Sequence, residues 1–218
     1  MTRIVASAPG KLVVTGEYAV LEGAPAVVLA VDRRAQVVLD SSADADYRID
    51  TPGLGIRAAR CRLDADGRAQ WLGTTRTDAM RLDLTAAAIE AAGSGGVPTP
   101  FCAALDTRAF YAAHGTRTKL GLGSSAALMV ALAGAIRAHD HRPAPSASEL
   151  IAAHRRVQDG RGSGLDIAAS LSGGVLVYRW RDEQPQITPA RWPAGLEFCC
   201  VWSGRSASTT PFLHQLAA

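Results

Sequence analysis

The chain has 218 residues, enough for one large domain or two small ones, and its 48% hydrophobic and 20% charged residues provide ample core material. A formal charge of +3, dispersed along the sequence, gives no electrostatic case for nucleic acid, so no nucleic-acid partner is expected. No run of eighteen apolar residues occurs and Met1–Ala6 carries no apolar signal stretch; neither a membrane span nor export is expected, which implies a cytoplasmic protein.

In chain order, Ile4–Val14 predicts a short strand that breaks at Ala8-Pro9-Gly10-Lys11 and resumes at Leu12, placing the Lys11 ammonium on a loop near Glu17. Ala26–Val31 reads as a buried strand, and Val37–Leu39 as a separate one after Asp32-Arg33-Arg34. Cys61-Arg62-Leu63 and Ala69-Gln70-Trp71 flank the turn Asp64–Gly67 and predict a hairpin; the acidic turn lacks the spaced ligands and closing Glu of a calcium loop. Thr77–Ala92 is the first clear helix, with Leu82 and Ile89 inward, small alanines between them and Gly93 as its stop. Phe101–Leu105 predicts a strand, and Phe110-Tyr111 a second short one.

The apolar run after Ser124 predicts a helix to about Ala138, and Ser146-x-x-Glu149 is a capping box opening the next, which ends near Gln158. Ile167–Leu171 reads as a short helix, and Val175–Tyr178 and Phe198–Val201 as strands; a last helix begins at Pro211. Strands and helices interleave without a regular βαβ period, so the expected class is α+β.

Four cysteines (Cys61, Cys102, Cys199, Cys200) lack metal spacing and are expected as reduced thiols; the histidines form no zinc motif, and His139 and His141 read as solvated residues at a helix end. Lys11 and Lys119 are the two lysines among 23 basic residues, and both stand in Gly-containing motifs. A lysine is a compact point charge that fits beside a phosphate, where arginine brings a planar fork.

Two Gly-rich loops carry the chemistry. In Lys119–Ala127, Gly121 and Gly123 alternate with Leu120 and Leu122 and lead through Ser124, Ser125 and Ala126 into a helix. Amides at such a helix start form an anion site, and the serines can cap the helix or hold a metal that accompanies phosphates. The same residues would also serve a plain capped turn, and the stretch is no Walker A loop, because no Gly-Lys-Ser/Thr follows four spacers. The second loop, Gly160–Asp166, places Asp166 after Ser163 and Gly164, either as a base or orienting carboxylate, or as an N-cap for the helix at Ile167. Phosphate cradle, lysine, hydroxyl and carboxylate together are what phosphoryl transfer requires.

At these residues the sequence resembles the GHMP kinases, the family of galactokinase and of homoserine, mevalonate and phosphomevalonate kinases. Ala8–Leu12 with Gly16–Leu21 is similar to its first motif, Gly121–Ala127 to its ATP-phosphate loop, and Ser163–Asp166 to the segment with its catalytic aspartate. The resemblance spans roughly residues 4–210 and runs closest to the phosphomevalonate kinases: Tyr18 replaces the His usual in mevalonate kinases, Lys119 precedes the loop, and His154–Asp166 and Trp202–Thr209 follow that subfamily's pattern.

The resemblance implies the following. The fold is that of GHMP kinases, with a ribosomal S5 domain 2-like N-terminal ATP-binding domain over 1–195 and residues 196–218 beginning a truncated or vestigial C-terminal subdomain, which a second copy or a partner chain would complete. ATP and Mg²⁺ are the cofactors and a phosphorylated small molecule, 5-phosphomevalonate, is the acceptor; mevalonate kinase and a non-catalytic nucleotide-binding subunit are the alternatives. Lys119 and Gly121–Ala126 bind the nucleotide phosphates, Ser125 also the metal; Lys11 and Asp166 are catalytic and contact each other; Glu17, Tyr18, Ser163, Gly164, Ser206, Ser208 and Thr209 contact the acceptor. One departure is notable: Arg155 stands where mevalonate kinases hold a magnesium-binding Glu.

Overall fold

A computed structural model describes residues 2–112, 118–160 and 162–204. Its strands are β1 (Arg3–Thr15), β2 (Ala26–Ser41), β3 (Tyr47–Thr51), β4 (Ile56–Leu63), β5 (Ala69–Leu72), β6 (Phe101–Asp106), β7 (Val175–Arg181) and β8 (Gln184–Ala190). Its helices are α1 (Arg76–Arg81), α2 (Asp83–Gly93), α3 (Ser124–His139), α4 (Ala147–Val157) and α5 (Leu165–Ser172). The eight strands form one mixed sheet in the order β5-β4-β3-β6-β2-β7-β8, with β1 paired to β2; β3 and β6 run parallel and the other pairs antiparallel. This is the expected α+β architecture.

Alternating positions decide which face of the sheet is covered. Val37 and Leu39 of β2, Ile49 of β3 and Phe101, Ala103 and Leu105 of β6 point into a core shared with Ile89 of α2, Met129, Leu132 and Ile136 of α3, and Leu150 and Ile151 of α4. α3 is buried on nearly every side, and its alanines at 126, 127, 131, 133 and 135 let neighbouring elements approach closely.

Several expectations are corrected. β1 does not break at Pro9-Gly10: it continues through a register shift in which Pro9 faces Arg34 and Gly10 faces Val31, leaving Asp32 and Arg33 as extra residues on β2. β2 is accordingly one strand and not two, and Arg34 donates from Nε to Ser7 Oγ at 2.9 Å across the bulge. The helix expected over 77–92 is divided at Leu82, whose backbone (φ −101°, ψ 3°) ends α1 and opens α2. Phe110 closes a 3-10 turn, and Tyr111 forms an isolated bridge with Lys119 in place of a strand. His139 is buried, not solvated, with Nε2 3.0 Å from Ser41 Oγ. β8 is an addition, and Phe198–Val201 is exposed and forms no strand.

The hairpin and the capping box stand as expected. β4 and β5 pair Cys61 with Trp71, and Ser146 and Glu149 bond each other's backbone at the start of α4.

Candidate active site

The site begins where β1 meets the loop before α3. The Lys11 amide donates to the Leu122 carbonyl at 2.8 Å, and Leu120 donates to Phe110 at 2.9 Å, so the loop lies along β1. The approach is so close that a Cβ on Gly10 would sit 2.3 Å from the Leu122 oxygen and 2.5 Å from Phe110 Cε1. Gly123 is the N-cap of α3 in a left-handed conformation (φ 75°), where a Cβ would meet Lys11 Cγ at 2.9 Å. Ser124 and Ser125 are therefore the first residues of the helix, not its caps, and no side chain caps this end. The N-terminus of a sixteen-residue helix, uncapped and preceded by glycines, fits an anion such as a nucleotide phosphate.

Two clefts flank this junction. Lys11, Glu17, Tyr18, Ser163 and Asp166 line one of about 120 Å³. Lys119, Ser124, Ser125 and His154 line the other, of about 290 Å³, together with Arg81 and Thr107. Gln158 lines both and marks where they meet. In the first cleft the Lys11 ammonium, with 17% of its side chain exposed, lies 3.7 Å from Glu17 Oε1. The expected contact between Lys11 and Asp166 is absent: Lys11 pairs with Glu17, and Asp166 Oδ2 faces His154 Nδ1 at 3.7 Å.

Asp166 lies inside the first turn of α5, whose N-cap is Gly164, so it is not the helix cap; its Oδ1 accepts the Ile167 amide at 2.9 Å. The loop before it is held by two side chains. Tyr178 donates its hydroxyl to the Ser163 carbonyl at 2.5 Å, and Arg155 donates from Nε to the Gly162 carbonyl at 2.8 Å while its guanidinium lies 3.8 Å above the Trp180 ring. Burial raises the Tyr178 phenol above its usual range, with Arg155 opposing and Asp166 reinforcing the shift, so it remains an O–H donor.

Lys11, Glu17, Tyr18, Ser163 and Asp166 are thus brought to one cleft, and Lys119, Ser124 and Ser125 to the other. Gly121, Leu122, Gly123 and Ala126 build the junction and the helix start, and Gly164 orients α5. Ser206, Ser208 and Thr209 lie outside the described residues. His154 belonged to a resembling segment but carried no role in the sequence reading; its spacing from Leu150 and Ile151 on α4, a polar residue in an apolar stripe, was the available signal.

Among the described residues, no group of three or more His, Cys, Asp and Glu could hold a metal, and no helix is long and apolar enough to cross a membrane. The Ser125 hydroxyl fits a magnesium ion that brings its own phosphate and water ligands.

Residues 107–174, from the turn before the loop to the end of α5, match the family described as GHMP kinases N terminal domain. The chain carries the N-terminal domain of that kinase family. It is 38% identical over 183 residues to a mevalonate kinase from Methanothermobacter thermautotrophicus, covering 79% of this chain and 49% of the relative. It is 32% identical over 247 residues to a phosphomevalonate kinase from Streptomyces sp., covering 98% of this chain and 65% of the relative. The chain therefore spans about half to two thirds of the length of these relatives. Its fold matches that of Streptococcus pneumoniae phosphomevalonate kinase, solved with phosphomevalonate and AMPPNP, at a TM-score of 0.63 and 21% identity over 85% of this chain and 58% of that one.

Proposed function

We propose that this chain is the ATP-binding portion of a small-molecule kinase that transfers the γ-phosphoryl group of ATP to the phosphate of 5-phosphomevalonate. The observation that carries the reading is the meeting of two clefts at Gln158, one lined by the uncapped α3 start with Lys119 and the other by Lys11 and Asp166. ATP bound at the α3 end would supply the phosphoryl group, with Mg²⁺ offsetting its charge.

The chain's residues then have separable tasks. The first-turn amides of α3 and the Lys119 ammonium hold the nucleotide phosphates, and the Ser125 hydroxyl faces the metal. Lys11 faces Glu17 at 3.7 Å without a close hydrogen bond, and the carboxylate side of the pair is 46% exposed, so the lysine charge can shift onto an acceptor phosphate. Its ammonium then offsets negative charge that builds between donor and acceptor. Asp166 orients the acceptor. A phosphate acceptor is already ionised near neutral pH, so no strong base is required of it.

Mevalonate is the second reading, favoured by the 38% identity to a mevalonate kinase. Against it stand Tyr18 in the acceptor cleft and Arg155, which turns to the Gly162 loop and Trp180 and gives the metal no carboxylate. An assay of ADP release over phosphomevalonate, mevalonate, galactose and homoserine, alongside AMPPNP titration, tests the proposal. Turnover on phosphomevalonate is expected. Preferential turnover of mevalonate would transfer the acceptor assignment, and a chain that binds no AMPPNP would sink the kinase reading.

A further inference from the structure

We infer that His154 is a positioning residue that joins the two clefts, fixing the direction of the Ser125 hydroxyl and the rotamer of Asp166. This rests on the kinase reading of the site. His154 sits on α4 at the position continuing Leu150 and Ile151, and is 2% exposed. A leucine would satisfy that place in the core, and a buried imidazole is costly unless its nitrogens find partners. Both ring edges face the site: Nε2 lies 3.3 Å from Ser125 Oγ, and Nδ1 lies 3.7 Å from Asp166 Oδ2. Ser125 belongs to the nucleotide cleft and Asp166 to the acceptor cleft, 41 positions apart in sequence by their numbers.

The chemistry of the two neighbours sets the tautomer. A carboxylate only accepts, and Asp166 Oδ1 is already occupied by the Ile167 amide, so Oδ2 is turned to His154 and favours a proton on Nδ1. Nε2 is then an acceptor, and the Ser125 hydroxyl donates to it. With its proton committed to the imidazole, the Ser125 oxygen keeps both lone pairs for the cleft, the state a metal ligand needs. The same ring lies against the carboxylate that lines the acceptor cleft, 3.7 Å from its Oδ2. One imidazole thereby aligns both walls before either ligand arrives.

The two ring edges can be separated by substitution. Gln in place of His keeps an acceptor near the Nε2 position, and Asn keeps a donor near the Nδ1 position. In the ligand-free chain labelled with ¹⁵N-histidine, the His154 resonances should report the Nδ1–H tautomer, with Ser125→Ala moving mainly Nε2 and Asp166→Asn mainly Nδ1. An Nε2–H tautomer would overturn the inference. Calorimetric titration with AMPPNP, with and without Mg²⁺, reads the consequence: His154→Gln should keep the magnesium-dependent gain in affinity, and His154→Asn should lose about tenfold of it. Any change in metal-free affinity should be shared by both variants, so that the comparison of their magnesium-dependent gains is preserved. If the two variants retain the gain equally while the unaltered chain shows it, the positioning role is wrong and the kinase reading survives. If the unaltered chain binds no AMPPNP, the kinase reading fails, and the ligand-free tautomer still decides whether the imidazole bridges Ser125 and Asp166. Should His154→Asn unfold, the Ser125→Ala spectrum carries the test alone.

Discussion

Lys11 and Leu122, far apart in sequence, are joined by one backbone hydrogen bond of 2.8 Å, from the amide of the residue proposed to carry the acceptor-side charge to the carbonyl of the loop proposed to bind phosphate. A lysine side chain is flexible, but its backbone here is fixed to the loop before α3. The distance between the two functional groups is therefore set by main-chain geometry. Pro9 contributes to this, because it has no amide to place and the register shift beside it turns the Lys11 amide toward Leu122.

Gly10 is the contact on which that junction closes. A methyl there would overlap the Leu122 carbonyl and the Phe110 ring, and a backbone oxygen cannot rotate away. Gly10→Ala is expected to destabilise the chain by about 1–3 kcal/mol and to weaken AMPPNP binding, measured by urea unfolding and calorimetry. Unchanged stability would show that the loop is not held against β1 as described.

Asp166→Asn preserves the shape of the side chain and its acceptance of the Ile167 amide while removing the charge in the cleft shared with Lys11, the proposed acceptor site. Turnover should fall by at least about a hundredfold with nucleotide affinity changed little, as read by ADP release and AMPPNP titration. A fall in affinity that accounts for the whole effect would demote Asp166 to a structural group at the start of α5.

Much of this site was legible in the sequence because it is local. The glycines before Ser124, the capping box at Ser146 and Glu149, and the short helix with Asp166 each depend on a few adjacent residues. What escaped depends on partners distant in sequence. The bulge that lets β1 continue through Pro9-Gly10 is made by Asp32 and Arg33 on another strand. β8 has no clear strand signal because Pro185 and Pro189 interrupt it, yet it lies at the sheet's edge, where a missing amide costs little. Phe198–Val201 has strand composition but no neighbour to pair with among the described residues. His139 is buried where its Nε2 meets Ser41 of β2, a partner 98 positions away in sequence.

Arg155, noted in the sequence as a departure from the mevalonate kinase pattern, supports the loop before Asp166. Its guanidinium stacks on Trp180 and bonds the Gly162 carbonyl, a fork-and-plane arrangement that lysine cannot copy. Arg155→Lys and Arg155→Ala should both raise the KM for the acceptor several-fold, while AMPPNP affinity stays within about twofold. Equal losses for acceptor and nucleotide would mean that the residue supports the whole domain and not this loop.

Away from the site, acid stability tests how the β3–β4 end is held. Asp46 is buried between Arg60 and Arg62, and hydrogen bonds from those two guanidinium groups, Arg60 first, hold its carboxyl below the usual range. A carboxyl whose folded value lies below its unfolded value near 3.9 adds stability above that pH and loses the contribution as pH falls through the folded value. Asp64, Asp106 and Glu149 shift in the same direction, so the unaltered chain should lose stability progressively below about pH 4. Asp46→Asn removes one of these contributions: it should be less stable than the unaltered chain at pH 7, and the gap should narrow as pH is lowered toward 3. Urea unfolding at pH 7, 4 and 3 measures the gap. A difference that stays constant across that range would show that Asp46 acts through its shape and neutral hydrogen bonding, not through its charge.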